Sequence, residues 1–158
     1  MLGNRLENSP PVRRVATYKG QRNFSGLWWC PSTNRYVGFE SWLERDHLIR
    51  LDFDPTVTGI ASQPFRIKFP KPLPQIWHVP DYFVRRVDGT SVVVDVRPDA
   101  KVKTVDQLAF DATAELCATA GWDCRRLEIC PDLFRIRKGD SVSTKERSMG
   151  RSLLRWPS

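Results

Sequence analysis

Two extended runs separated by Asp88-Gly89 constrain the fold of this chain more than any other feature. The first run includes residues 77–83 (WHVPDYF), and the second covers residues 92–97 (VVVDVR). Asp-Gly between two such runs is a strong signal for a β-hairpin. The sequence therefore predicts two neighbouring antiparallel strands joined by a tight turn near residues 87–89.

The length of that turn decides which side chains face each other. A two-residue loop would leave Asp81 and Asp95 on opposite faces, because strand side chains alternate between faces. A three-residue loop that ends with Gly89 in the left-handed conformation pairs Arg86 with Thr90, and it places Asp81 directly opposite Asp95. Two bare carboxylates in that position repel each other. A bridging divalent cation removes the repulsion, so we predict that both carboxylates are metal ligands.

A third carboxylate is expected on a helix that precedes these strands. Residues 39–51 (FESWLERDHLIRL) carry apolar side chains at 39, 42, 43 and 49, which predicts one broad buried helical face and a helix that ends before Pro55. Glu44 shares a stripe with Leu48 and Leu51 beside that face. Its carboxylate can point inward at low cost only if a cation or hydrogen-bond donors meet it. Glu40, one turn earlier, is the alternative for the same role.

A second helix is predicted after the Asp95 strand. Residues 104–107 (TVDQ) have the pattern of a capping box, and apolar or small residues at 105, 108, 109, 112 and 116 predict an amphipathic face. Gly121 is expected to close this helix, and residues 122–129 read as one more strand. Helices and strands in this order indicate an α/β fold with a mixed central sheet flanked by helices.

The order of Glu on a helix, Pro-Asp on one strand and acid-x-cation on the next resembles the PD-(D/E)XK nuclease family. More narrowly, it is similar to the TnsA-type endonuclease subunits of heteromeric transposases. The resemblance spans about residues 28–129 and implies a restriction-endonuclease-like core. The motifs that carry it are 41–45 (SWLER), 51–55 (LDFDP), 63–65 (QPF), 79–83 (VPDYF), 88–89 (DG), 94–98 (VDVRP) and 120–122 (AGW).

The resemblance implies a catalytic site that uses Mg²⁺ or Mn²⁺, ions that oxygen ligands suit. Asp81 and Asp95 would bind the ion directly, Val96 would contribute its backbone carbonyl, and Glu44 would bind directly or through water. Arg97 stands where the family usually has a lysine, and Lys101 and Lys103 are possible substitutes. An arginine stabilises charge but does not deprotonate water. The implied catalytic residues are Glu44, Gln63, Asp81, Asp95 and Arg97.

The distribution of charge points to DNA. Residues 1–22 contain five basic residues and one acidic residue, and residues 134–158 contain seven basic and two acidic residues. We therefore expect a flexible basic arm (1–22), a nuclease-like domain (23–133) and a basic tail (134–158), with the basic segments neutralising phosphates. The predicted DNA-binding residues are Arg13, Arg14, Lys101, Lys103, Arg135, Arg137 and Lys138.

Other features of the sequence narrow the functional class. No apolar run approaches the roughly 20 residues needed to span a bilayer, and residues 1–11 lack the apolar core of a signal peptide, so a cytoplasmic protein without membrane contact is expected. The four cysteines have neither CxxC nor paired histidine spacing, which argues against structural zinc.

The carboxylate set and the resemblance together predict a metal-dependent endonuclease that acts on double-stranded DNA, and the resemblance implies that it is a transposase subunit that hydrolyses a phosphodiester bond at transposon ends. The resemblance implies two partners, a transposase subunit and an ATPase regulator. The alternatives are a non-catalytic DNA-binding and assembly subunit with the same fold, and a stand-alone restriction or repair nuclease.

Overall fold

The structure, a computed structural model, describes residues 5–13, 24–69, 77–98 and 103–128. It begins with a short 3-10 helix, Leu6–Asn8. The strands are β1 Gly26–Cys30, β2 Arg35–Phe39, β3 Val57–Ser62, β4 Ile67–Lys68, β5 Trp77–His78, β6 Tyr82–Arg86, β7 Ser91–Val96 and β8 Asp123–Leu127. The helices are α1 Trp42–Phe53 and α2 Thr104–Ala120. No helix within the described ranges is long and apolar enough to cross a membrane.

The core is a four-stranded mixed sheet in the order β3-β6-β7-β8. Strands β3, β6 and β7 are antiparallel neighbours, whereas β8 runs parallel to β7 after the crossover through α2. Two further strand pairs, β1-β2 and β4-β5, lie outside this sheet. The described residues therefore form a mixed α/β fold with a mixed central sheet and two α-helices, and an α/β fold with a mixed central sheet was predicted.

All six residues of β7 are buried because β7 has a strand on each side and apolar clusters on both faces. Val92, Val94 and Val96 join the cluster that includes Leu48 of α1. Val93, which points to the other face, packs with Phe83 of β6 and Cys117 of α2. Because side chains alternate along a strand, Asp95 belongs to the α2 face.

The hairpin between β6 and β7 confirms the predicted turn. Arg86 donates its backbone N–H to the carbonyl of Thr90 at 2.9 Å, and Gly89 adopts the left-handed conformation at φ +85°. Tyr82 therefore pairs with Val94. Continuing this register by one residue places position 81 opposite position 95, as the three-residue loop requires.

Helix α1 begins after the N-cap Ser41 and ends before Pro55, as predicted, but its buried face differs from the predicted one. Position 39 belongs to β2. Trp42 stacks on Phe24, which lies outside the helix, and remains 42% exposed. The residues that α1 buries are Asp46, His47, Leu48 and Leu51. The predicted broad face at 39, 42, 43 and 49 was therefore wrong in part: Leu43 does pack against the cluster around Leu48, but positions 39 and 42 do not belong to a buried helical face. Glu44 lies one helical turn before Leu48, on the inward stripe.

Helix α2 buries a stripe that shares Ala109 with the predicted one. Ala109, Thr113 and Cys117 are buried, whereas three of the predicted positions are 41–46% exposed, namely Val105, Leu108 and Leu116. The buried stripe therefore consists of small side chains, and the larger apolar residues lie beside it.

The two ends of α2 lie closer to their predicted positions than its buried face does. Gly121 has φ +73° and closes the helix, as predicted. At the other end the cap lies one residue earlier than predicted, because Asp106 accepts the backbone N–H of Lys103 at 3.0 Å. Lys103 is therefore the N-cap, and Thr104 is the first helical residue.

Residues 5–13, which the sequence placed in a flexible arm, contact the central sheet. Leu6 packs against the cluster around Phe83. Glu7 forms an ion pair with Arg85 and lies so close to Gly59 that an added Cβ there would meet it at 2.8 Å. Part of the predicted arm is therefore attached to β3 and β6.

Candidate functional site

Asp81 lies at the end of the central sheet, immediately before β6. Its carboxylate accepts the backbone N–H of Val96 at 2.7 Å, and its carbonyl accepts the backbone N–H of Gln63 at 2.9 Å. The hairpin register would otherwise pair Val96 with Pro80. Proline has no N–H, so Pro80 cannot donate a hydrogen bond to the Val96 carbonyl. The Pro-Asp motif thus replaces a regular ladder pair by a side-chain contact.

The pKa of Asp81 lies well above its ordinary value of 3.8. Burial is the main cause, and the negative charges of Glu44 and then Asp95 raise this pKa further. The Val96 N–H and the positive charge of Arg97 act in the opposite direction. Three predicted carboxylates are therefore electrostatic neighbours at one end of the sheet.

Asp95 is 3% exposed and is paired with a histidine. The Nε2 atom of His78 lies 2.9 and 3.0 Å from the two Asp95 carboxylate oxygens. His78 itself is buried, stacks on Phe69 and meets the edge of Phe110 from α2. His78 is absent from the predicted site residues. The sequence signal for such a partner is a carboxylate among buried valines, which requires one.

Glu44 and the N-cap Ser41 form reciprocal hydrogen bonds at the start of α1. One carboxylate oxygen accepts the backbone N–H of Glu40 at 2.8 Å, and the other accepts the hydroxyl of Ser41 at 2.9 Å. Ser41 in turn accepts the backbone N–H of Glu44 at 3.1 Å. Burial raises the pKa of Glu44, and these hydrogen bonds oppose the rise. The pattern Ser-x-x-Glu at 41–44 is the sequence signal for this second role.

Gln63 connects the Asp81 end of the sheet to the N-terminal segment. It is buried at φ +47°, an uncommon conformation for a residue other than glycine. Its backbone carbonyl accepts the N–H of Val12 at 2.9 Å, and its Oε1 accepts Nε of Arg13 at 3.2 Å. The Arg13 guanidinium also forms an ion pair with Glu40. Glu40, the alternative carboxylate, was predicted on the helix, but it precedes α1 and its N-cap, and it is held by this arginine.

The structure brings part of the predicted set together. Gln63 donates its backbone N–H to the Asp81 carbonyl, and the negative charges of Glu44 and Asp95 act on the Asp81 carboxylate. Arg97 is exposed at the end of β7. Lys103 is exposed at the start of α2. The remaining predicted residues lie outside the described ranges, namely Arg14, Lys101, Arg135, Arg137 and Lys138. Among the described residues, no three His, Cys, Asp or Glu side chains are arranged as a ready-made metal site.

No protein-family model matches the chain, and no curated protein matches it.

Proposed function

We propose that this protein is a metal-dependent DNA endonuclease subunit of a heteromeric transposase, and that it hydrolyses a phosphodiester bond at transposon ends. The observation that carries the proposal is Asp81, a half-buried carboxylate that accepts the Val96 N–H at the end of the sheet and is crowded by the charges of Glu44 and Asp95. Crowded, partly desolvated carboxylates are typical of functional sites. The transposon context, the transposase partner and the ATPase regulator rest on the sequence resemblance alone.

The topology is compatible with a restriction-endonuclease-like core. Helix α1 precedes three antiparallel strands, α2 follows them, and β8 completes the sheet parallel to β7. In this arrangement the Pro-Asp motif and the acid-x-cation motif lie on adjacent strands, as the resemblance requires. The fold alone does not specify a reaction, so the proposal depends on the carboxylates.

The donor set fits Mg²⁺ or Mn²⁺ in its chemistry, because carboxylate and carbonyl oxygens suit both ions. Asp81 and Asp95 would hold the ion, with the Val96 carbonyl and Glu44 completing the site. Each carboxylate oxygen has more than one lone pair, so the hydrogen bonds from Val96 and His78 do not exhaust its capacity. When bound, the ion supplies Lewis acidity toward the phosphate and an activated water.

The residues of the chain have separate roles in this proposal. Asp81 is fixed by Val96 and Gln63, and Asp95 is fixed by His78. The backbone of Arg97 is held by its N–H bond to the Leu127 carbonyl at 2.9 Å, which leaves the exposed guanidinium at the end of β7. From there it would stabilise the negative charge that develops on the phosphate.

A plasmid nicking assay tests the proposal. Purified protein should nick supercoiled DNA in Mn²⁺ or Mg²⁺, with the partner transposase present, and should be inactive in EDTA. Asp95→Asn should abolish nicking, whereas Asp123→Asn, the same chemical change at an exposed position on β8, should leave it unchanged. Because contaminating nucleases mimic weak activity, the two variants must be purified in parallel.

A second candidate is a DNA-binding and assembly subunit without catalytic activity. Two observations favour it: both Asp95 oxygens are engaged by His78, and an arginine stands at position 97. If the wild type and Arg97→Lys both bind DNA but fail to nick it with Mn²⁺ and the transposase, this second function replaces the first.

A further inference from the structure

Arg13 reaches the Asp81 end of the sheet from the N-terminal segment. Its guanidinium contacts the Glu40 carboxylate and, at 3.2 Å, the side-chain oxygen of Gln63. Gln63 donates its backbone N–H to Asp81. The positive charge of Arg13 also lowers the pKa of Glu44. Arg13 is therefore connected to Asp81 through a single residue, Gln63.

The position of Arg13 is fixed by the segment that carries it. Val12 donates its backbone N–H to the carbonyl of Gln63, so the segment is attached immediately before Arg13. The other end is attached by the apolar contacts of Leu6 and the ion pair between Glu7 and Arg85. These anchors hold the backbone on both sides of Pro10 and Pro11, which are rigid residues.

Arg13 also faces open space. A cavity of about 640 Å³ lies between the N-terminal segment, the β1-β2 hairpin and β3. Its lining includes Arg13 and Arg35 as its two charged residues, together with Tyr36 and Ser62. The Arg13 side chain is 49% exposed, so an anion can reach it without displacing the fold. Arg13 pairs with Glu40 and Arg35 donates to the Glu7 carbonyl, but no carboxylate of the described residues lines the cavity itself, so the charge of the lining favours an anionic ligand.

We propose that Arg13 binds a DNA phosphate beside the Asp81 site, and that Glu40 holds the guanidinium in place until the phosphate displaces it. This inference rests on the proposed function, namely that DNA binds at this end of the sheet. It differs from the sequence expectation of a general phosphate contact by a flexible arm. Arg13 is a local phosphate-binding residue, and Glu40 is its competitor.

Equilibrium binding to a short fluorescein-labelled DNA duplex in EDTA tests the inference without cleavage. Arg13→Gln should weaken binding about tenfold and reduce the slope of log K against log salt by about 0.9. Arg13→Lys should keep that slope. Glu40→Gln should strengthen binding about two- to fivefold in the wild type, because it frees Arg13. In the Arg13→Gln background that gain should largely vanish.

The coupling between the two substitutions is the decisive quantity. An equal gain from Glu40→Gln in both backgrounds would mean that Glu40 acts only through general charge, and it would overturn the inference. Arg5→Gln is the matched control, since Arg5 is an exposed cation on the same segment. In the Arg5→Gln background, Glu40→Gln should strengthen DNA binding by the same factor as it does in the wild type. Melting curves of each variant verify that the segment remains folded.

Nicking by the same proteins separates this inference from the proposed function. If the wild type binds DNA with the predicted coupling but never nicks it, the phosphate site stands and the nuclease proposal fails. If the wild type nicks DNA while Arg13→Gln binds and nicks equally well, the nuclease proposal stands and Arg13 has no role in it.

Discussion

Asp81→Asn separates the folding role of this residue from its proposed metal-binding role. The asparagine side chain retains an oxygen that accepts the Val96 N–H, which lies 2.7 Å from the carboxylate, but it has no charge. Position 81 lies opposite Asp95 across the hairpin, and the Cβ atoms of residues directly opposite each other on neighbouring strands are about 5 Å apart. Two unit charges at that distance repel by roughly 3 kcal/mol at an effective dielectric constant of about 20. Partial solvation weakens this repulsion, so we expect the variant to be about 1–3 kcal/mol more stable in EDTA at neutral pH.

The pH dependence of that gain has a definite sign. The pKa of Asp81 in the folded protein is raised above its ordinary value of 3.8. Below pH 3.8 the carboxyl is protonated in both the folded and the unfolded state, so its charge contributes no penalty. As the pH rises through the raised pKa, the folded state must accept a buried charge and wild-type stability falls. The advantage of Asp81→Asn should therefore grow between acidic and neutral pH.

Thermal denaturation with and without Mn²⁺ is the assay. For a chain of 158 residues, each kcal/mol corresponds to about 2–4 °C in Tm. In EDTA the variant should melt above the wild type, whereas Mn²⁺ should raise the Tm of the wild type and leave that of Asp81→Asn unchanged. Asp123→Asn, the exposed control, should follow the wild type in both conditions. A variant that melts lower in EDTA at neutral pH, or gains as much from Mn²⁺ as the wild type, would refute the reasoning.

Three further predictions address neighbouring features. Arg97→Ala should reduce plasmid nicking roughly 10²–10³-fold, while Arg97→Lys should retain nicking; equal activity of the two would remove Arg97 from the site. His78→Ala should lower the free energy of unfolding, measured in urea, by about 3 kcal/mol because it leaves Asp95 buried without its partner. Adding Asp95→Asn to His78→Ala should recover part of that loss, and no recovery would mean that His78 acts only through packing. Replacing the seven basic residues of 134–158 by glutamine should reduce the salt slope of DNA binding by up to about 6, at about 0.9 for each phosphate contact, and an unchanged slope would assign the tail another role.

The hairpin could be predicted from the sequence because its determinants are local. Asp88-Gly89 specifies a turn, and glycine takes the left-handed conformation without a steric penalty. Once Gly89 ends a three-residue loop, strand alternation fixes the partner of every residue on β6. The register that places Asp81 opposite Asp95 follows from these two rules, and no tertiary contact is needed to derive it.

The buried faces of the helices could not be predicted in the same way. Periodicity identifies a helix but does not state which of its stripes the rest of the fold covers. On α2 the covered stripe contains Ala109 and Thr113, whereas Leu108 is exposed. On α1, Trp42 finds its apolar contact with Phe24, outside the helix and ahead of it in the sequence. Both outcomes depend on tertiary packing, which overrides local pattern.

The contacts that complete the candidate site are also long-range. His78 and Asp95 are 17 residues apart, and Arg13 and Gln63 are 50 residues apart. Neither pair belongs to a recurring short motif, so spacing alone does not reveal it. The need for such partners was nevertheless visible in the sequence, because Asp95 lies among valines on a buried strand and a buried carboxylate requires a donor.

The strongest reason to assign a ligand to this end of the sheet is that folding does not explain the charge of Asp81. Its side chain accepts a hydrogen bond from the Val96 N–H, and the side-chain oxygen of a neutral asparagine can also accept that bond. The charge adds desolvation and repulsion from Glu44 and Asp95, both of which raise the pKa of Asp81. A charged residue that is desolvated and repelled by its neighbours without a gain in stability is expected at functional positions. A divalent cation would reverse the sign of these interactions, and that reversal is what the Mn²⁺ melting experiment measures.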